Sequence, residues 1–246
     1  MALTNGPNLG LLVNGNAGEG HYSDLMKQWR GLDGLVMPNA KGYLTNTPPG
    51  SPADGDLYII GAAPTGAWAG QGGKVTRWSS VASAWEFYAP KNGWMIQANS
   101  ARETYRYTGG AWEIFYQEGT WTVRIFGSTT AGTNTYSNQA GRYIRIGKAI
   151  HVVGTETMTS KDAAMAGDVR IGGQPFNADT SAFVSLTVGL WTGIVLDPGR
   201  TTIAITVGSA DMSISESGSS AATATLGVSS LSSTTTIRFS GVYRLA

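Results

Sequence analysis

The stretch IAITV, residues 203–207, decides the fold class because it places apolar side chains at alternate positions. The same period of two recurs in VSLTV, residues 184–188, and in IRFSGVYRL, residues 237–245. Side chains of a β-strand alternate between the two faces of a sheet, so each stretch predicts a strand with one buried face. No helical period follows residue 118. Residues 119–246 are therefore expected to form an antiparallel β-sandwich.

A repeated aromatic pattern predicts a small β-module at residues 46–118. Arg77-Trp78 followed by WEFY at 85–88 is matched by Arg106-Tyr107 followed by WEIFY at 112–116. Each copy combines two strand-like runs with a turn of small residues, so each copy predicts a β-hairpin. Because a small β-module needs large side chains to fill its interior, we expect the tryptophans to pack in the core or between chains.

One amphipathic helix is expected before the module, at about residues 21–35. Its apolar side chains recur at spacings of three and four: Tyr22, Leu25, Met26, Trp29, Leu32 and Leu35. Gly31 and Gly34 weaken the helix, each by up to about 1 kcal/mol relative to Ala. A single helix cannot bury its own apolar stripe. The partner is either the following module or copies of the same helix in an oligomer. Residues 1–45 form the third region, an N-terminal segment with this helix.

Composition restricts the function classes. The chain has 246 residues, no Cys, 13% charged residues and a formal net charge of +1. The absence of Cys excludes disulfides, thiolate nucleophiles and Cys-ligated metal sites. A charge this close to zero gives no broad field for a phosphate backbone, so no nucleic-acid binding is expected. The sequence starts without a signal-peptide pattern and has no apolar run of the roughly 18 residues that a membrane span needs, so we expect no membrane insertion.

The titratable residues give little support for catalysis. His21 and His151 lie far apart in the sequence, and neither belongs to a metal-binding or triad pattern. Asp54 and Asp56 lack the further oxygen ligands that a calcium loop requires. The glycine-rich residues 66–75 miss the first glycine and the hydroxyl of a phosphate loop. A pair of glycosidase carboxylates is left open, because a sequence cannot show two acids facing each other. We expect no enzyme activity, no catalytic residue, no cofactor and no metal.

Trp191 is the candidate ligand-binding residue. It is isolated in a region poor in aromatic residues and is flanked by Gly189 and Gly193. An isolated aromatic side chain between glycines is a candidate surface contact. The Ser-, Thr- and Gly-rich residues 208–236 suit hydrogen bonding to a glycan and suit the solvated rim of a sandwich equally well.

Ordered motifs in the first half of the chain resemble an N-terminal domain of unknown function. That domain recurs in fibre or spike proteins of tailed bacteriophages and gene-transfer agents. The resemblance covers about residues 5–118. The motifs are PNLGL at 7–11, LDGLV at 32–36, PPGSPADGDLYI at 48–59, GAWAG at 66–70 and WEFYAPKNGW at 85–94.

A second likeness lies in the C-terminal half. YSNQAGRYIRIGK at 136–148, MTSK at 158–161 and GDVRIGGQPF at 167–176 resemble parts of the tip domains of phage tail fibres. Such tips are trimeric β-sandwiches that contact the host surface. The resemblance implies an elongated homotrimer in the virion, as a tail or head appendage, made in the host cytoplasm. Its N-terminus would be held by another virion protein and its C-terminus would bind a host glycan or receptor.

The resemblance leaves three roles open. A trimeric fibre for host recognition is the first. A purely architectural head-decoration fibre, or a baseplate or tail attachment piece, is the second. A glycan-cleaving spike is the third.

Overall fold

The structure is a computed structural model that describes residues 4–5, 12–14, 21–36, 38–98, 102–181 and 184–246. Contacts divide the chain into two compact units, here the first unit, Met1–Gln117, and the second unit, Glu118–Ala246. The motif at 7–11 and the side chains of His21 and Tyr22 lie outside the described part.

The first unit is built from one helix and short strands. In chain order they are β1 (Thr4–Asn5), β2 (Leu12–Asn14), α1 (His21–Leu35), β3 (Asn39–Ala40), β4 (Gly42–Thr45), β5 (Leu57–Ile60), β6 (Val75–Ser79), β7 (Ala84–Tyr88), β8 (Met95–Ala98), β9 (Glu103–Thr108) and β10 (Ala111–Trp121), the last of which continues into the second unit. The predicted helix is confirmed.

Both predicted hairpins are present. β6 pairs antiparallel with β7, and Trp78 lies opposite Trp85. β9 pairs antiparallel with β10, and Tyr107 lies opposite Trp112. β6 and β7 belong to the sheet β4-β5-β6-β7, whereas β9 and β10 pair in the order β3-β8-β9-β10. Apolar residues of both sheets share one core, which contains Leu57, Ile59, Val75, Ile96, Tyr105 and Trp112.

The tryptophans of this module show why so small a unit can bury a core. Trp68 is fully buried, and its ring contacts those of Tyr58 and Trp85 with centroids 5.5 and 5.1 Å apart. The indole N–H of Trp112 donates a 2.8 Å hydrogen bond to the Gly73 carbonyl. Burying the Trp112 indole with its N–H paired avoids the cost of an unsatisfied polar group. The core role expected for the tryptophans holds for Trp68, whose ring is fully buried, and for Trp112.

The second unit contains long strands. In chain order they are β11 (Arg124–Gly127), β12 (Thr135–Ile146), β13 (Ala149–Ser160), β14 (Val169–Gly172), β15 (Ser185–Ile194), β16 (Thr202–Val207), β17 (Met212–Gly218), β18 (Ala221–Thr225) and β19 (Leu231–Arg244). Their order in the sheet is β11-β14-β17-β16-β15-β19-β13-β12, and β18 pairs with β17. Every pairing among them is antiparallel.

A curl at β15 gives this sheet the two facing layers of a sandwich. Ser185 and Leu186 pair with β16, whereas Thr187–Ile194 pairs with β19. The register with β19 shifts on either side of Leu190, next to Gly189 and Gly193. Bulges of this kind bend a strand locally and increase its twist. The predicted mainly β fold is confirmed, with the difference that the two layers share one continuous strand.

The alternating stretches face the interior as the sequence predicts. Ile203, Ile205 and Val207 of β16 are buried, as are Ile237 and Phe239 of β19. They pack into one core together with apolar residues of β13, β14 and β17. No helix in the described part of the chain has both the length and the apolar character needed to cross a membrane.

Candidate functional site

Trp191 lies on β15 and pairs in register with Ile237 of β19. Its side chain is half-buried and packs against the core of the second unit. The indole therefore exposes only part of its surface, unlike an aromatic platform on which a sugar ring can stack. Ligand binding at Trp191 stays a prediction.

The acidic pair considered as a cation site takes part in local structure. Asp54 accepts a 2.8 Å hydrogen bond from the Ser80 amide, which helps to hold the pKa of its carboxyl below the usual value. Asp56 accepts a hydrogen bond from the Ala53 amide and forms a 2.6 Å ion pair with Lys41. Across the described residues, no three His, Asp or Glu side chains converge in a way that suits a metal ion.

The helix α1 presents apolar side chains to solvent. Leu25 and Trp29 of α1 are 38% and 60% exposed, and Val36, which directly follows the helix, is 56% exposed. The Val36 amide donates a 2.9 Å hydrogen bond to the Leu32 carbonyl, so this residue continues the helical turn. Spacings of four and seven residues place them on one side of a helix that turns by about 100° per residue. We call these three residues the helix stripe. Isolated exposed apolar residues are common on protein surfaces, but a contiguous apolar stripe marks an interaction surface.

The opposite side of α1 packs against the strands of the first unit. The Arg30 guanidinium lies 3.0 Å from the carboxylate of the buried residue Glu86. A Cβ at Gly34 would lie 2.8 Å from Arg77 Cδ, and Leu35 packs against the core. Gly34 thus allows a close approach that a larger residue would prevent. Of the apolar residues predicted to lie on one side of the helix, Leu35 packs against the module, whereas the module does not cover the helix stripe.

The second unit has an exposed apolar surface of its own, on the solvent side of β12, β13 and β19. Ile144, Ile146, Val153 and Val242 each expose between 39% and 54% of their surface. His151 lies between Ile144 and Val242 in the strand register and is exposed, on the face opposite Ile150 and Val152 as the alternation predicts. We call this surface the outer face.

The outer face is cationic as well as apolar. Its alternate positions also place Arg142 on β12 and Arg238 and Arg244 on β19. The outward positions of these three strands, all within the described residues, include no Asp or Glu. A surface with apolar side chains and only positive charges favours a partner with apolar and negatively charged groups.

A shallow groove of about 390 Å³ lies at one end of the outer face. Its lining residues are Lys148, Ala149, Val184, Val242, Tyr243 and Arg244. The strand register explains the groove, because Ala149 lies opposite Arg244 and the Leu245 amide donates a 2.8 Å hydrogen bond to the Lys148 carbonyl. Two cationic side chains that are far apart in sequence therefore border one apolar depression. We call it the Lys148–Arg244 groove.

Asp179 lies beside the Lys148–Arg244 groove. Its carboxylate is 3.4 Å from the Arg244 guanidinium, and its amide donates a 2.8 Å hydrogen bond to the Arg244 carbonyl. Hydrogen bonds from Ser181, with smaller contributions from the charges of Arg244 and Lys148, hold the pKa of Asp179 below its usual value. The carboxylate is therefore ionised at neutral pH and balances only part of the positive charge at the groove.

The sequence did not single out the groove residues. Lys148 follows Gly147 in the turn between β12 and β13, and Arg244 is one of several arginines at alternate positions of a strand. Only the pairing of β13 with β19 brings them together. The one available signal was the absence of acidic residues from the outward positions of 140–157 and 236–244.

Comparisons with known proteins find similarity to part of the chain. Residues 28–113 match a family described as a protein of unknown function (DUF2793), which agrees with the resemblance found in the N-terminal half. No curated protein matches the chain. A search of solved structures finds the Dettilon tailspike protein (gp208), with a TM-score of 0.42 and 16% sequence identity. The match covers 52% of this chain and 24% of the tailspike, so the chain spans about a quarter of the length of that protein.

Proposed function

We propose that the chain is the subunit of a homotrimeric bacteriophage fibre that recognises the host surface through a glycan. In this proposal residues 1–45 attach the fibre to another virion protein, residues 46–118 form a small module, and residues 119–246 form the tip that contacts the host. The role requires no catalytic residue. The N-terminal resemblance to a domain found in phage fibres and spikes, in the region of the family match, supports the phage assignment.

The exposed helix stripe is the observation that best supports the proposed oligomer. A stripe with a 60% exposed Trp29 costs free energy in water, and association of like helices would remove that cost. The polar and glycine-containing side of α1 is already used within the chain, so copies of the chain can meet through the stripe without rearrangement. Three copies would also place several tips on one fibre. Weak individual glycan contacts would then add up to a firm attachment.

We expect Trp29→Glu combined with Leu25→Glu to dissociate the oligomer. The substitution places two carboxylates per chain in a surface that needs to be apolar, and like charges from several copies repel one another. Sedimentation velocity should show the mass fall from an oligomer to a single chain. The matched control is Val81→Glu, because Val81 is 84% exposed in the turn between β6 and β7 and should leave the mass unchanged. An unchanged mass in the double variant would contradict the proposed interface.

Host recognition is tested by competition for adsorption. Purified chain is added to host cells before the phage that encodes it, and free phage are counted after a fixed time. The proposal predicts that wild-type protein slows adsorption, and that the Leu25→Glu, Trp29→Glu variant does so at least about tenfold less well because multivalency is lost. A protein that never competes favours the architectural role. Release of reducing sugar from the host surface favours a glycan-cleaving spike.

A further inference from the structure

We infer that the Lys148–Arg244 groove binds the anionic substituent of a saccharide, a carboxylate or a phosphate, with the sugar ring against the apolar walls. The inference rests on the proposed role in host recognition and names the ligand class of the second unit. It concerns a different surface from the helix stripe, so each can fail without the other.

Charge is the first reason to expect an anion. Lys148 and Arg244 border the groove. Against these two cations, Asp179 is the carboxylate that the structure places in contact with Arg244. Arg presents a planar pair of donors that suits carboxylate and phosphate oxygens, and Lys adds a mobile point charge.

The shape of the groove is the second reason. It is shallow and open, and its walls are the aliphatic side chains of Ala149, Val184 and Val242. One face of a pyranose ring is made of C–H groups, which pack against aliphatic walls while the hydroxyls stay in water. An apolar surface beside two cations therefore fits an acidic sugar better than a neutral one or a bare inorganic ion.

The Asp179–Arg244 ion pair gives the site a specific signature. Asp179 contacts the same guanidinium that an incoming anion needs, so it competes with the ligand. Asparagine at this position keeps the side-chain oxygen that accepts the 2.9 Å hydrogen bond from the Ser181 amide, but it removes the charge. Asp179→Asn should therefore strengthen anion binding, whereas a substitution that only disturbed the fold would weaken it.

The test uses the full chain with isotope-labelled Ala and Val methyl groups, so that Ala149, Val184 and Val242 report on the groove. The probes are glucose, glucuronate and glucose 6-phosphate, which share one ring and differ in the group at its sixth carbon. We expect the two anionic sugars to shift these methyl signals with a dissociation constant in the millimolar range, and glucose to bind at least about tenfold more weakly. If glucuronate binds more tightly, the natural ligand is a glycan that contains uronic acids. If glucose 6-phosphate binds more tightly, the natural ligand is a phosphorylated glycan.

Three variants complete the test. Lys148→Gln combined with Arg244→Gln should weaken binding of both anionic sugars by at least about tenfold, and Asp179→Asn should strengthen it about threefold. Arg238→Gln is the matched control, because Arg238 lies on the same strand and face as Arg244 but does not line the groove. Equal binding of glucose, an equal loss in the Arg238→Gln control, or no methyl shift with any probe would overturn the inference. A monomeric chain that still binds the anionic sugars would overturn the oligomer and leave the groove intact.

Discussion

Replacing Glu156 with Gln is expected to raise the free energy of unfolding of the second unit by about 4 kcal/mol at pH 8, with little change at pH 4. Glu156 lies on β13 and its side chain is fully buried. Neither carboxyl oxygen has a hydrogen-bond partner among the described residues, and burial raises the pKa of this carboxyl to about 8. Gln is close to Glu in size, but its side chain stays neutral across this pH range.

The direction of this pH dependence follows from the raised pKa of Glu156. Below the unfolded value of 4.5 the carboxyl is protonated in both states, so wild type and variant differ little. Between 4.5 and about 8 the unfolded chain loses the proton while the folded chain keeps it, and wild-type stability falls as the pH rises. Above that range the folded chain must hold a buried charge.

Hydrogen exchange of the β13 and β19 amides, measured across this pH range, reports on this core alone. The control is Glu113→Gln, because Glu113 is exposed on β10 and should leave the profile of wild type unchanged. A Glu156→Gln profile that falls with pH as steeply as that of wild type would show that Glu156 is not the source of the dependence.

Replacing Gly154 with Ala is expected to destabilise the second unit by about 3 kcal/mol or more. Gly154 of β13 lies opposite Gly141 of β12 and opposite Phe239 of β19. A Cβ at Gly154 would lie 2.3 Å from Phe239 Cζ, and one at Gly141 would lie 2.4 Å from Trp121 Nε1. Phe239 is 3% exposed and its ring packs against Trp121, so the ring cannot move aside easily.

Unfolding in urea, followed through β13 amide exchange, measures the cost of the Gly154 substitution. Gly189→Ala is the matched control, because the nearest atom to a Cβ there is the Arg238 carbonyl oxygen at 4.0 Å, and it should change stability by less than about 0.5 kcal/mol. The cost of Gly154→Ala should shrink in a Phe239→Ala background, where the clash is absent. Equal effects of Gly154→Ala with and without Phe239 would contradict this explanation.

The first unit shows where the sequence was sufficient and where it was not. The spacing of apolar residues predicts the helix, and the structure places it at His21–Leu35. The glycines that weaken it by propensity turn out to have a packing role, since Gly31 is buried and Gly34 lies against Arg77. Propensity describes an isolated helix, whereas the side that a helix buries depends on the surface it meets. The sequence therefore left the partner of the stripe open.

In the second unit, too, the sequence predicts some features and not others. Alternation predicts its strands, because burial of one face is a local property of each strand. The change of partner within β15, from β16 at Leu186 to β19 at Thr187, depends on strands that are distant in sequence, and no alternation pattern reveals it. The Lys148–Arg244 groove depends on a pairing between residues almost a hundred positions apart, so no local motif marks it. Trp191 stood out because it is isolated in sequence, yet its side chain is partly buried and packs against the core.

Sedimentation equilibrium of the full chain across a wide range of concentration tests most directly whether the helix stripe is covered by further copies of the same subunit. The proposed fibre predicts a particle of three times the 25.8 kDa chain mass that persists on dilution. A particle of 25.8 kDa at every concentration would contradict it, because Leu25, Trp29 and Val36 would then remain in water.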